Sequence, residues 1–316
     1  MSLRRGRSLL LCFLAVVSAS TLHGQSAPAG RPLILFIHGR DQAFQTTASL
    51  RRTWSESFLD GVNKLNLGSD FLADTDVDFV NYQDIYEPSY ERRACNFTET
   101  LAGIESDRII QKERFLTWLS SVGARLGMTS VIMTNFLADT RLYFSEKLVR
   151  CNTDDRLADA IANATMKNRP VILVAHSLGT QIAYRVLTKS IYGSEVKVTR
   201  FVALGSQLGA PDIVETLSMQ TIRTTPYPLP DGILSLVNIR GKFDFVAPLL
   251  LATNFKVDPT RPLVDREIET KPDEPHSIVG YLKHPQTARA IIFAWCRAFA
   301  VAQDAPPSCL AARDIR

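Results

Sequence analysis

Metal, nucleic-acid and membrane chemistry have little to work with in this chain. Only five cysteines and five histidines occur in 316 residues. No C-x-x-C or His–Cys spacing sets them out as ligands, so no metal is expected. Neither sign of charge dominates, with 36 Lys+Arg against 32 Asp+Glu and a formal net charge of +4. Removing Arg4, Arg5 and Arg7 with an N-terminal leader lowers that charge from +4 to +1. No basic stripe is present, which argues against a nucleic-acid partner. No stretch is long and apolar enough to span a bilayer core of about 30 Å. Internal repeats and low-complexity segments are absent, which excludes solenoids and disordered tails as the organising principle. A composition of 46% hydrophobic and 22% charged residues is that of a globular protein. The length suits one large α/β domain or two small ones.

Residues 1–24 read as a secretory signal peptide: a basic start, an apolar run over residues 9–17, and small residues Ala19, Ser20 and Gly24 as cleavage sites. Its removal takes Cys12 and leaves Cys95, Cys151, Cys296 and Cys309. An even count in an exported chain predicts two disulfides. Of the three possible pairings, Cys95–Cys151 and Cys296–Cys309 each close one local unit and are favoured.

Residues 170–182, PVILVAHSLGTQI, carry the most specific signal. An almost wholly apolar run is followed by a tight turn, then by Ile182, Ala183, Val186 and Leu187 on one helical face. Ala175-His176-Ser177-Leu178-Gly179 fits the G-x-S-x-G nucleophile elbow with Ala in the first Gly position. Such a turn lifts the Ser177 hydroxyl out of a sheet and leaves backbone N–H groups beside it.

The rest of the chain alternates strands and helices. Strands are expected over residues 31–39, 76–86, 197–204, 232–239 and 263–268, and helices over 47–65, 154–166 and 285–301. This rhythm predicts a mostly parallel, doubly wound α/β sheet with helices on both faces, spanning residues 31–303 before a polar tail at 304–316. Residues 91–155 interrupt the rhythm with two helical patterns, 104–122 and 128–149. They form either a cap whose Val131, Ile132, Met133, Phe136 and Leu137 line a pocket, or a helical pair packed beside the sheet.

A serine hydroxyl is a weak nucleophile and needs a base. His23 lies in the leader, His38 follows the first strand, and His176 is the elbow's own residue, with a side chain expected to diverge from Ser177. His276, in a loop after the last strand, is better placed than His284, which precedes Pro285 and reads as a helix start. Asp244, in a turn just beyond a strand, is the candidate acid, with Asp212 and Asp265 as alternatives. The order Ser177, Asp244, His276 puts all three at strand ends, where open α/β sheets carry their sites. An oxyanion hole needs two N–H donors. Leu178 at the elbow helix and Arg40 after the first strand are the candidates, with His38 and Gly39 bracing the loop. Ser206 reads as structural.

Several blocks together resemble the α/β-hydrolase superfamily: Ile37-His38-Gly39, the elbow through Thr180, Leu204-Gly205-Ser206 with Leu208-Gly209, Asn238 with residues 244–248, and His276-Ser277 with Tyr281-Leu282. Within it they are similar to the serine-esterase and lipase-like branch that includes the GPI inositol-deacylase type. The resemblance implies an exported esterase or lipase-like serine hydrolase acting without a cofactor. Ser177 would be nucleophile, Asp244 acid partner and His276 base. Its substrate would be a small-molecule or lipid ester, reached through transient contact with a membrane surface. An acyltransferase or peptidase on the same triad, or a non-catalytic binding protein on the same fold, are the alternatives. Gln207 stands where many lipases carry proline, which leaves the substrate class open.

Overall fold

The computed structural model describes residues 30–39, 42, 45–67, 72–95, 138–188, 196–210, 213–214, 217, 226–247, 249–256, 258–299 and 305–309. The expected leader, Arg40, Asp212 and most of the insertion, including its expected pocket-lining residues, lie outside them.

Six strands form one sheet: β1 (Leu33–Ile37), β2 (Val77–Val80), β3 (Val171–His176), β4 (Arg200–Leu204), β5 (Leu236–Gly241) and β6 (Leu263–Ile268). They lie in the order β2-β1-β3-β4-β5-β6, and every pairing is parallel. A parallel sheet is covered on both faces, and β3 at its heart is buried at all six positions. Side chains alternate: Leu173 and Ala175 point into one core, Ile172 and Val174 into the other.

Helix α1 (Thr47–Asn63) buries Leu50, Trp54, Phe58 and Val62 on one stripe, and Thr46 caps it by accepting from the Ser49 N–H at 3.1 Å. It shares its face of the sheet with α5 (Ile278–Leu282) and α6 (Pro285–Arg297). Trp295 of α6 is fully buried and donates its indole N–H to the Pro32 carbonyl at 2.9 Å, pinning the last helix to the first strand. The opposite face carries α2 (Ala138–Ser145), α3 (Lys147–Met166) and α4 (Leu178–Thr188). Both expected disulfides form, Cys95–Cys151 and Cys296–Cys309, with Cα–Cα separations of 5.7 and 5.3 Å. Among the described residues no helix is long and apolar enough to cross a membrane.

Five expected boundaries are corrected. The strand expected over 76–86 stops at Val80, because β1 offers partners only as far as Ile37; Gln83–Tyr86 turns into a 3-10 helix instead. The strand expected over 197–204 pairs only from Arg200, preceded by a single bridge at Val198. The strand expected over 232–239 touches the sheet at Ile233 by a bridge to Val198, then pairs over Leu236–Gly241, where β6 still offers Glu267 and Ile268. The short helix expected over 154–166 begins at Lys147, and the helix expected to run through 149 breaks at Glu146, whose backbone is extended. Arg150 makes that break tolerable by donating to the Phe144 carbonyl at 2.9 Å, one of the carbonyls left open at the end of α2. Within this part of the insertion Tyr143, Phe144 and Val149 belong to the sheet's core, so residues 138–155 are packed beside the sheet.

Candidate active site

Between β1 and β3 the strand order reverses direction, and parallel sheets carry their sites beyond the strand ends at such a switch point. Ser177 stands there. Its φ of 52° is one of only three positive values among described non-glycine residues. The strain is held by its own N–H, which donates to the Leu204 carbonyl at 3.0 Å, and by its carbonyl, which accepts from Thr180 Oγ1 at 2.7 Å. Ser206 supports Thr180 through a 2.9 Å hydroxyl contact and accepts from the Leu208 N–H, a structural part. Gly179 shows why the elbow needs a small residue: a Cβ there would meet the His38 carbonyl at 2.4 Å.

Ser177 Oγ lies 2.8 Å from His276 Nε2, and His276 Nδ1 lies 2.7 Å from Asp244 Oδ2. The Asp244 side chain is wholly buried, while that of His276 keeps 16% exposure. Nδ1 faces a carboxylate and so carries the proton, which leaves Nε2 free to accept from the serine hydroxyl. Asp244 Oδ1 accepts the Val246 N–H at 2.9 Å, and Oδ2 accepts a second donor, the Tyr281 hydroxyl, at 2.6 Å. Burial first, then the charge of Asp244, pushes the Tyr281 phenol far above its usual range, so it donates.

Gly205 forms the floor beneath this row. Its φ is +57°, and a Cβ there would stand 2.9 Å from His276 Cε1 and 3.1 Å from Asp244 Oδ2. His176 lies beside the row: its Nε2–H donates to the His276 carbonyl at 3.1 Å, and the two rings are 4.7 Å apart. It holds the loop that carries His276.

The other expected residues are also placed. His38 is buried and stacked on Tyr82 at 3.9 Å. Its Nδ1–H donates to the Gly39 carbonyl, and its Nε2 accepts the Tyr82 N–H at 3.1 Å. Burial lowers its pKa to about 4, so the ring is neutral and braces the loop after β1. The Tyr82 hydroxyl donates to the same Gly39 carbonyl at 2.6 Å. Gly39 comes so close to the elbow that a Cβ on it would lie 2.8 Å from that of Ser177. Leu178 opens α4, so its N–H has no acceptor within the helix. His284 caps α6 by accepting from the Gln286 N–H at 3.3 Å. Asp265 bonds Asn238 and the Leu251 and Ala252 N–H groups, so its carboxylate is committed to a turn.

Tyr281 and the packing role of Gly205 escaped the sequence reading. Tyr281 had one local sign, its place in the block after His276. Among the described residues no group of three or more His, Cys, Asp or Glu side chains could hold a metal ion. No family model matches the chain, and no curated protein matches it.

Proposed function

We propose that this chain is a serine hydrolase of the α/β-hydrolase kind that cleaves a carboxylic ester through an acyl-enzyme. The observation that carries this reading is the unbroken row from Ser177 Oγ through His276 to Asp244, at 2.8 and 2.7 Å, on a strained elbow at the sheet's switch point. Strain at a non-glycine residue is retained where it positions chemistry.

In the first half-reaction Ser177 Oγ attacks the ester carbonyl carbon as its proton passes to His276 Nε2. The developing oxyanion is received by the Leu178 N–H, at the positive end of α4, and by a second donor from the loop that His38 and Tyr82 brace. Asp244 holds Nδ1–H and favours the imidazolium. Collapse breaks the C–O bond, and the leaving alkoxide takes the proton from His276. In the second half water attacks acyl-Ser177, its proton passing to Nε2, and collapse releases the acid and restores the serine.

Phe243 and Phe245, on either side of buried Asp244, are 43% and 41% exposed, and Leu249 and Leu250 are exposed just beyond them. Apolar side chains in this position support an apolar acyl or lipid ester as the substrate. The two disulfides support an exported protein. Turnover of nitrophenyl esters of graded chain length tests the reading. Wild-type turnover that disappears in Ser177→Ala at unchanged melting temperature supports it. Equal turnover in the variant contradicts it.

A further inference from the structure

We propose that Tyr281 is a positioning residue of this reaction, acting through Asp244 as a fourth member of the row that begins at Ser177. The inference rests on the reading of Ser177, His276 and Asp244 as the reacting groups. Asp244 Oδ2 accepts from two donors at once, His276 Nδ1–H at 2.7 Å and the Tyr281 hydroxyl at 2.6 Å. The phenol oxygen in turn accepts the Gly241 N–H at 2.7 Å, which ties it to the last residue of β5. Tyr281 is fully buried on α5, five positions beyond His276. The short helix that follows the histidine loop thereby grips the carboxylate that the same histidine needs.

Two consequences follow. Held from the side opposite Val246, the carboxylate cannot rotate away from Nδ1 when the imidazolium forms. The phenol also withdraws electron density from Oδ2, which makes Asp244 a weaker acceptor of the Nδ1 proton. Among the described residues, the titratable and charged groups that face this row include Arg240 on β5, which acts on the Tyr281 phenol, and His176 on β3, whose ring lies 4.7 Å from His276 and 5.9 Å from Tyr281.

The test uses the full chain and the acid limb of kcat/KM on a nitrophenyl ester. Tyr281→Phe is expected to lower kcat about tenfold, with KM changed by less than about twofold. It is expected to move the acid limb up by about half a pH unit, because Asp244 loses a donor. Site-specific 3-fluorotyrosine at 281, a stronger donor of nearly the same shape, is expected to move the limb down. In an Asp244→Asn background Tyr281→Phe should change kcat by less than about twofold, since the route through the carboxylate is already broken. A folded Tyr281→Phe protein with an unmoved limb overturns the proposal. If that variant does not fold, the fluorotyrosine protein decides: a downward shift supports the proposal and no shift overturns it. A wild-type protein that neither turns over esters nor takes a fluorophosphonate on Ser177 overturns the underlying hydrolase reading, and the proposal with it, before any Tyr281 variant is made.

Discussion

Asp154 on α3 and Asp244 after β5 are both wholly buried, and each accepts a 2.6 Å hydrogen bond from a buried tyrosine, Tyr143 in one case and Tyr281 in the other. Each also faces a basic nitrogen: Arg185 Nε at 2.9 Å from Asp154, His276 Nδ1 at 2.7 Å from Asp244. The arrangements diverge at that third group. A guanidinium does not give up its proton in a protein, so Asp154 and Arg185 form a fixed pair that clamps α3 to the elbow helix α4. Imidazole can lose and regain a proton, and its second nitrogen sits 2.8 Å from Ser177 Oγ. The same carboxylate–phenol unit is thus a clamp when it ends in arginine and can serve as a proton relay when it ends in histidine.

The largest effect expected is at the end of the relay. Ser177→Ala should lower ester turnover by about 10⁵-fold or more, with no loss of melting temperature. The two aspartates should then respond in opposite ways. Asp244→Asn is expected to reduce kcat by about 10³–10⁴-fold while leaving urea unfolding nearly unchanged. Asp154→Asn removes the buried carboxylate that accepts from Arg185 Nε and should cost about 3–5 kcal/mol in the same unfolding experiment. The kcat of its folded fraction should stay within about threefold. A large stability loss at Asp244, or a large kcat loss at Asp154, breaks the comparison.

His38 sharpens it from the third side, as a buried histidine that bonds the Gly39 carbonyl and the Tyr82 N–H. Its folded pKa of about 4 lies below the usual 6.5. Between those values the unfolded chain binds a proton that the folded protein does not, so stability rises with pH there. On acidification the contribution is lost between pH 6.5 and 4, about 3 kcal/mol in all. His38→Gln should flatten the pH dependence of urea unfolding in that window by about one proton equivalent; an unchanged slope would contradict the assignment. Gly205→Ala is expected to cost about 1–2 kcal/mol of stability from its positive φ. Because the added methyl would press on His276 Cε1, kcat should fall further than stability, by about tenfold, as paired unfolding and turnover measurements would show.

How much of this was legible beforehand depends on whether the cause is local. The bounds of β6 at Leu263 and Ile268, and the start of α6 at Pro285, follow from residues within a few positions of each element. So does the elbow, where an apolar strand, small residues and an amphipathic helix lie together in sequence. Ser177, Asp244 and His276 could be picked out as strand-end residues in a meaningful order, although nothing in the sequence measures the distances between them. The end of β2 was not legible, because it is set by how far β1 reaches. Nor was the start of α3, since Arg150, Asn152, Thr153 and Asp154 are polar yet buried; Arg150, Asn152 and Asp154 have partners outside the helix, and Thr153 bonds the Val149 carbonyl one turn back. Tyr281 belongs to the same class: its role depends on α5 folding back onto the end of β5, which no neighbouring residue announces.

The most direct measurement is to treat the full chain with a fluorophosphonate and locate the adduct by peptide mass spectrometry. A phosphonyl group on Ser177, absent in Ser177→Ala and slowed by at least about a hundredfold in His276→Ala, is the expected result. No adduct on Ser177, or equal labelling of the Ser177→Ala protein, would contradict the relay.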